Sequence, residues 1–181
     1  LFDNENAIFM GAKSNPDGCS IGIFGVNYDG TCSFKPGARF GPESIRQVSS
    51  CLETYCPKLN KDLQDVMYVD FGSIRIDNNS SKSVVESVKS ATNYLISKDL
   101  SPIMLGGEHS ITSGAIEALV KKYPDLILVQ LDAHADLRES YLGNKHSHAC
   151  AMKRCLEVLP EKKILQVGIR SGTKEEFQFM H

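Results

Sequence analysis

The sequence predicts an α/β fold: three layers, with helices covering both faces of a mostly parallel sheet. Short apolar runs rich in β-formers alternate with longer runs of helical periodicity. Most of the strand-like runs also lack the in–out alternation of a half-exposed sheet, as expected of strands covered on both faces. The unusual polar residues fall directly after these runs, where open parallel sheets carry their ligand loops.

Strands are expected at Ser20 to Val26, Asp65 to Asp70, Pro102 to Leu105, Leu126 to Leu131 and Lys163 to Val167. Between and after them, Gly41 to Tyr55, Ser80 to Lys98, Ser110 to Lys122 and Ser147 to Leu159 carry apolar residues at helical spacing. Ser80 to Lys98 is the clearest. Val84, Val88, Ala91, Leu95 and Ile96 form one stripe, with Lys82, Glu86 and Lys89 on the other side. No internal repeat or low-complexity linker interrupts the chain, so residues 1–181 read as a single domain.

With 20 basic and 22 acidic residues the formal net charge is −2, which gives no general attraction to nucleic acid or anionic membranes. The longest apolar runs fall far short of the ~20 residues of a membrane helix. The six cysteines contain no Cys-x-x-Cys pair and read as reduced thiols in a cytoplasmic protein. Cys150 is two residues past His148, but a buried, inert thiol is the expected role.

The run Leu126 to Asp136 is the most informative. It ends an apolar strand with Asp132, His134 and Asp136, which project to one side if the extended geometry persists past the strand end. His109 comes from the neighbouring loop Gly106-Gly107-Glu108-His109-Ser110, and Tyr28-Asp29-Gly30 follows the first strand, so three loops are expected to line one rim. Considered alone, His109 would read as a cap or loop hydrogen-bonder. Together these groups crowd at least two negative charges, and a divalent cation is the simplest neutraliser.

Oxygen donors with imidazole and no thiolate suit manganese better than zinc or iron. Asp132, with His109 on one side and His134 on the other, suggests a carboxylate bridging two ions roughly 3.5–4 Å apart, a geometry that activates water for attack on a planar carbon. His148 is a candidate proton shuttle for a leaving amine, the alternative being a capping or surface histidine. His146 and His181 are expected to be incidental.

Gly107-Glu108-His109-Ser110, Asp132-Ala133-His134-Ala135-Asp136 and Ser147-His148-Ala149 resemble the two metal motifs and the catalytic-histidine segment of the ureohydrolase family of arginases and agmatinases. Lys35-Pro36-Gly37-Ala38-Arg39-Phe40-Gly41-Pro42 and Val167-Gly168-Ile169-Arg170-Ser171 are similar to its agmatinase branch, although glycine is more usual at Ala149. The resemblance implies two Mn²⁺ per site. His109, Asp132 and Asp136 would hold one, His134 and the bridging Asp132 the other, and the catalytic residues would be Asp136 and His148, the latter as the shuttle. It further implies a small-molecule guanidino substrate, agmatine giving putrescine and urea in polyamine biosynthesis, and a homo-oligomer at full length. The other substrates in view are those of guanidinobutyrase and formiminoglutamase.

The family's third motif supplies two further aspartates, and no aspartate follows Asp136 here. Residues 1–181 are therefore expected to be a fragment. Glu175 and Glu176 are expected on a solvated face. A non-catalytic metal-binding subunit is the alternative if that motif is absent altogether.

Overall fold

The architecture is organised by β2 (Ile21–Val26), whose six residues leave almost no side chain in contact with solvent. Glycines at two opposite-facing positions show how both its faces are covered. A Cβ on Gly22 would meet Leu95 and Leu100, whereas one on Gly25 would meet Pro42 and Arg46. One helix therefore packs on each face, giving the three-layer α/β arrangement. The computed structural model describes residues 1–3, 8–78 and 80–180.

In chain order the elements are β1 (Phe2–Asp3), β2, α1 (Gly41–Ser49), β3 (Tyr55–Cys56), β4 (Lys61–Asp62), β5 (Tyr68–Ile74) and α2 (Ser81–Ser97). They continue with β6 (Ser101–Gly106), α3 (Thr112–Lys122), β7 (Leu128–Leu131), α4 (Ala151–Cys155), β8 (Ile164–Val167) and α5 (Lys174–Met180). Strands β5, β2 and β6 run parallel in the order β1-β5-β2-β6, with β1 antiparallel at the edge. β7 and β8 form a separate parallel pair.

The expected single sheet is thus hydrogen-bonded as two among the described residues. Both sets carry apolar side chains in the open: Ile103 on β6 and Val129 and Leu131 on β7 are all exposed. The interior is likewise divided. Phe24, Val26, Val84, Val88 and Leu95 pack between the four-stranded sheet and α2, while Ile116, Leu137, Met152, Cys155 and Leu159 form a second core near β7 and β8.

Element ends depart from expectation for local reasons. The expected strand Asp65 to Asp70 lies instead at Tyr68–Ile74, because Asp62 accepts from Gln64 N (3.0 Å) and caps a 3₁₀ turn over Leu63–Asp65. α1 stops at Ser49, whose hydroxyl donates to Arg46 O (2.7 Å), and the chain then enters the β3–β4 hairpin. The helix expected from Ser147 is a 3₁₀ turn over His148–Cys150 followed by the short α4.

Arg46 and Asp70 fasten α1 to β5. Arg46 donates from Nε and Nη2 to the Asp70 carboxylate (2.8 and 2.9 Å), and to Ser73 Oγ and Gly72 O, with both side chains shut off from solvent. Asp70 also accepts from Phe9 N (2.8 Å). Breaking a buried, satisfied ion pair from one side strands the remaining charge. Asp70→Asn should cost about 3–5 kcal/mol, read as a lower denaturation midpoint at unchanged slope.

Candidate metal centre

His109 is delivered by a loop zipped onto the end of β2. Glu108 N donates to Tyr28 O (2.9 Å) and Gly107 N to Val26 O (3.3 Å). A Cβ on Gly107 would fall 2.1 Å from Tyr28 O, so only glycine permits this approach. Glu108 then caps the following 3₁₀ turn, His109–Ile111, by accepting from Ser110 N (2.8 Å) and Ser110 Oγ (2.7 Å). His109 leaves the start of that turn.

Asp132 sits one residue past β7. Gln130 Nε2 donates to its Oδ2 (3.3 Å) and His134 N to its Oδ1 (2.9 Å). The backbone stays paired beyond the strand end, Asp132 N to Val167 O, Arg170 N to Ala133 O and Ala135 N to Ser171 O. The extended geometry does not last to Asp136, contrary to the simple alternation expected. Asp136 adopts φ 53°, a left-handed conformation that Asp tolerates better than most residues. Its carbonyl accepts from Met152 N (3.0 Å) and Lys153 N (3.2 Å), so the entry to α4 holds the turn.

That turn brings Asp136 to His109. His109 Nδ1 lies 2.6 Å from Asp136 Oδ2 and 3.6 Å from Asp132 Oδ2. His109, Asp132 and Asp136 each offer one ligand atom, and these atoms lie within 4.8 Å of one another. His134 stands apart at the lip, 65% exposed, with Nδ1 3.5 Å from Asp132 Oδ1.

The electrostatics favour a cation. Burial works against a charged His109, but the hydrogen bond and charge of Asp136, with the charges of Asp132 and Glu108, outweigh it and raise its pKa. For Asp132 burial again works against charge, and the His134 N–H, Gln130 and His109 together lower its pKa below the ordinary value. Two carboxylates and an imidazole gathered so closely are a donor set that fits a hard or borderline divalent ion.

The cluster lies in a cleft of about 510 Å³, with His148, Tyr141 and the segment Cys32 to Lys35 on its other walls. His148 therefore joins the cleft, whereas His146 does not line it and His181 lies outside the described residues. Tyr28 and Asp29 are buried beneath the rim they were expected to line. Cys150 is fully buried and its thiol pKa is raised by burial, which keeps it protonated and inert.

Several supporting residues escaped sequence reasoning. Gln130 is a polar residue inside a strand, and that interruption was a usable signal. Glu176 is a correction: it is 5% exposed and accepts from Leu137 N (2.8 Å) and Thr173 N (2.7 Å), securing the chain just after Asp136. Only Glu175 has the expected solvated position.

The sequence profile of the Arginase family matches residues 19–181. The chain belongs to the arginase family. It is 38% identical over 180 residues to an agmatinase of Bacillus cereus, covering 98% of this chain and 62% of that one. It is 40% identical over 166 residues to an N(1)-aminopropylagmatine ureohydrolase of Thermococcus kodakarensis, covering 91% of this chain and 56% of that one. The crystal structure of an agmatine ureohydrolase of Thermoplasma volcanium superposes with a TM-score of 0.85 at 40% identity, covering 92% of this chain and 56% of that one. The chain thus spans about three fifths of the length of such relatives.

In this arginase-family chain the cleft wall after β2 is shaped by Asp29. Its carboxylate accepts from Gly37 N (2.7 Å), Arg39 N (3.2 Å) and Arg39 Nε (2.6 Å), and pairs with the Arg39 guanidinium. The Arg39 hydrogen bond outweighs burial and holds the Asp29 pKa at about 2. A carboxyl depressed on folding stabilises the fold fully above its ordinary value of 3.8 and loses that contribution as pH falls towards about 2. Asp29→Asn should therefore flatten the pH dependence of unfolding free energy between about pH 4 and 2, measured by denaturant titration across that range.

Proposed function

We propose that the complete protein is a manganese-dependent ureohydrolase that converts a guanidino compound to urea and an amine, with agmatine giving putrescine as the preferred reaction. What carries this reading is the convergence of His109, Asp132 and Asp136 at the ends of two strands in an open cleft. Family membership and the names of the relatives support the reaction class. We further assign the protein to polyamine biosynthesis in the cytoplasm, as a homo-oligomer.

His109, Asp132 and Asp136 would hold one Mn²⁺, and His134 with Asp132 would hold another. Bound there, the ions supply Lewis acidity and an activated water nucleophile. Asp132 is braced by Gln130, so its two oxygens are presented in a set orientation. Asp136 Oδ2 lies 2.6 Å from His109 Nδ1, so both candidate ligand atoms are presented at one place in the cleft. His148, which lines the same cleft, carries the proton required by the leaving nitrogen as the C–N bond breaks.

The complete protein supplied with Mn²⁺ should release urea from agmatine. A panel adding N(1)-aminopropylagmatine, guanidinobutyrate and formiminoglutamate ranks the substrates by kcat/KM, and no product from any of them would refute the reading. Retained manganese without turnover would instead favour the non-catalytic metal-binding subunit. His134→Ala should lower bound manganese, measured by elemental analysis after dialysis. His148→Asn should lower kcat by about 10²- to 10⁴-fold while manganese content stays constant.

A further inference from the structure

Thr31 lies in the loop after β2, yet its hydroxyl meets groups 77 and 117 residues away. Oγ1 donates to Glu108 Oε1 at 2.7 Å. The same oxygen accepts from His148 N at 3.0 Å and lies 3.2 Å from His148 Nδ1. A threonine hydroxyl has one proton and two lone pairs. With the proton committed to Glu108, only lone pairs face His148, and the contact at Nδ1 is favourable when Nδ1 carries a hydrogen. Ser147 Oγ, 3.3 Å from the same nitrogen, can accept from it as well.

We propose that Thr31 is a positioning residue that holds His148 in the tautomer protonated at Nδ1, leaving Nε2 as the nitrogen that takes up and delivers protons in the cleft. This inference rests on the reading of His148 as the proton carrier. The rest of the surroundings agree. Glu108 is buried and occupied by Ser110 N and Ser110 Oγ as well, so it is a fixed acceptor that orients the Thr31 hydrogen. The His148 ring is packed edge-on to Tyr141 at 5.6 Å between centroids, which restricts its rotation. In turnover the C–N bonding pair remains on the departing nitrogen, which takes the proton from Nε2. Solvent restores that proton, and the other hydrogen stays on Nδ1, hydrogen-bonded to Thr31 Oγ1.

The test uses the complete protein labelled with ¹⁵N-histidine, with His148 assigned by subtraction of His148→Asn. In its neutral form the wild-type ring should show the Nδ1–H pattern in long-range ¹H–¹⁵N correlation. Thr31→Val, which keeps the shape and removes the hydroxyl, should shift His148 towards Nε2–H and lower kcat at least about tenfold with KM little changed. Thr31→Ser should restore both. An Nε2–H pattern in wild type would overturn the proposal even if Thr31→Val fails to fold, as would an unchanged tautomer in Thr31→Val whatever its activity. A tautomer shift in a protein that hydrolyses no guanidino compound would leave the positioning role standing and refute the function proposed above.

Discussion

The contact between His109 Nδ1 and Asp136 Oδ2, 2.6 Å long, is the interaction on which the site depends, because it spans the division between the two sheets. His109 follows the last strand of one sheet and Asp136 follows the first strand of the other. No ladder hydrogen bond joins those strands among the described residues. The cleft is therefore built from loops that follow strands not paired with each other.

Each side of that contact is held by backbone rather than by long side chains. His109 is placed by a loop whose amides are bonded to β2 and by the cap that Glu108 provides. Asp136 is placed by a left-handed turn locked from α4 and, through Leu137 N, by Glu176. A left-handed residue costs about 1–2 kcal/mol, and the hydrogen bonds around Asp136 offset that strain. Rigid support of this kind suits a cluster of like charges, which would otherwise spread apart. Separated carboxylates would be poorer ligands.

The loop after β2 links this anionic cluster to His148. Asp29 closes the segment through Arg39, and Thr31 connects Glu108 to His148. Neighbouring residues on one loop thus shape the cleft wall and orient a ring that the chain supplies more than a hundred residues later. Glu108 belongs to both halves of the arrangement, since it caps the turn carrying His109 and accepts the Thr31 hydroxyl.

Hydrophobic periodicity was enough to read the α/β class, the parallel strands and the covering helix at Ser81–Ser97, since burial imposes those patterns directly on the residue order. The spacing of Asp132, His134 and Asp136 and the adjoining His109 also marked the candidate site, since His109, Asp132 and Asp136 do come together. Tertiary structure alone decided which of them meet. His134 lies exposed beside the cluster while Asp136 swings into it, because the φ of Asp136 is set by α4 amides sixteen and seventeen residues downstream. The parts played by Thr31 and Glu176 were hidden for the same reason: a hydrogen bond joins atoms close in space, and their partners are fixed only when the loops are packed together.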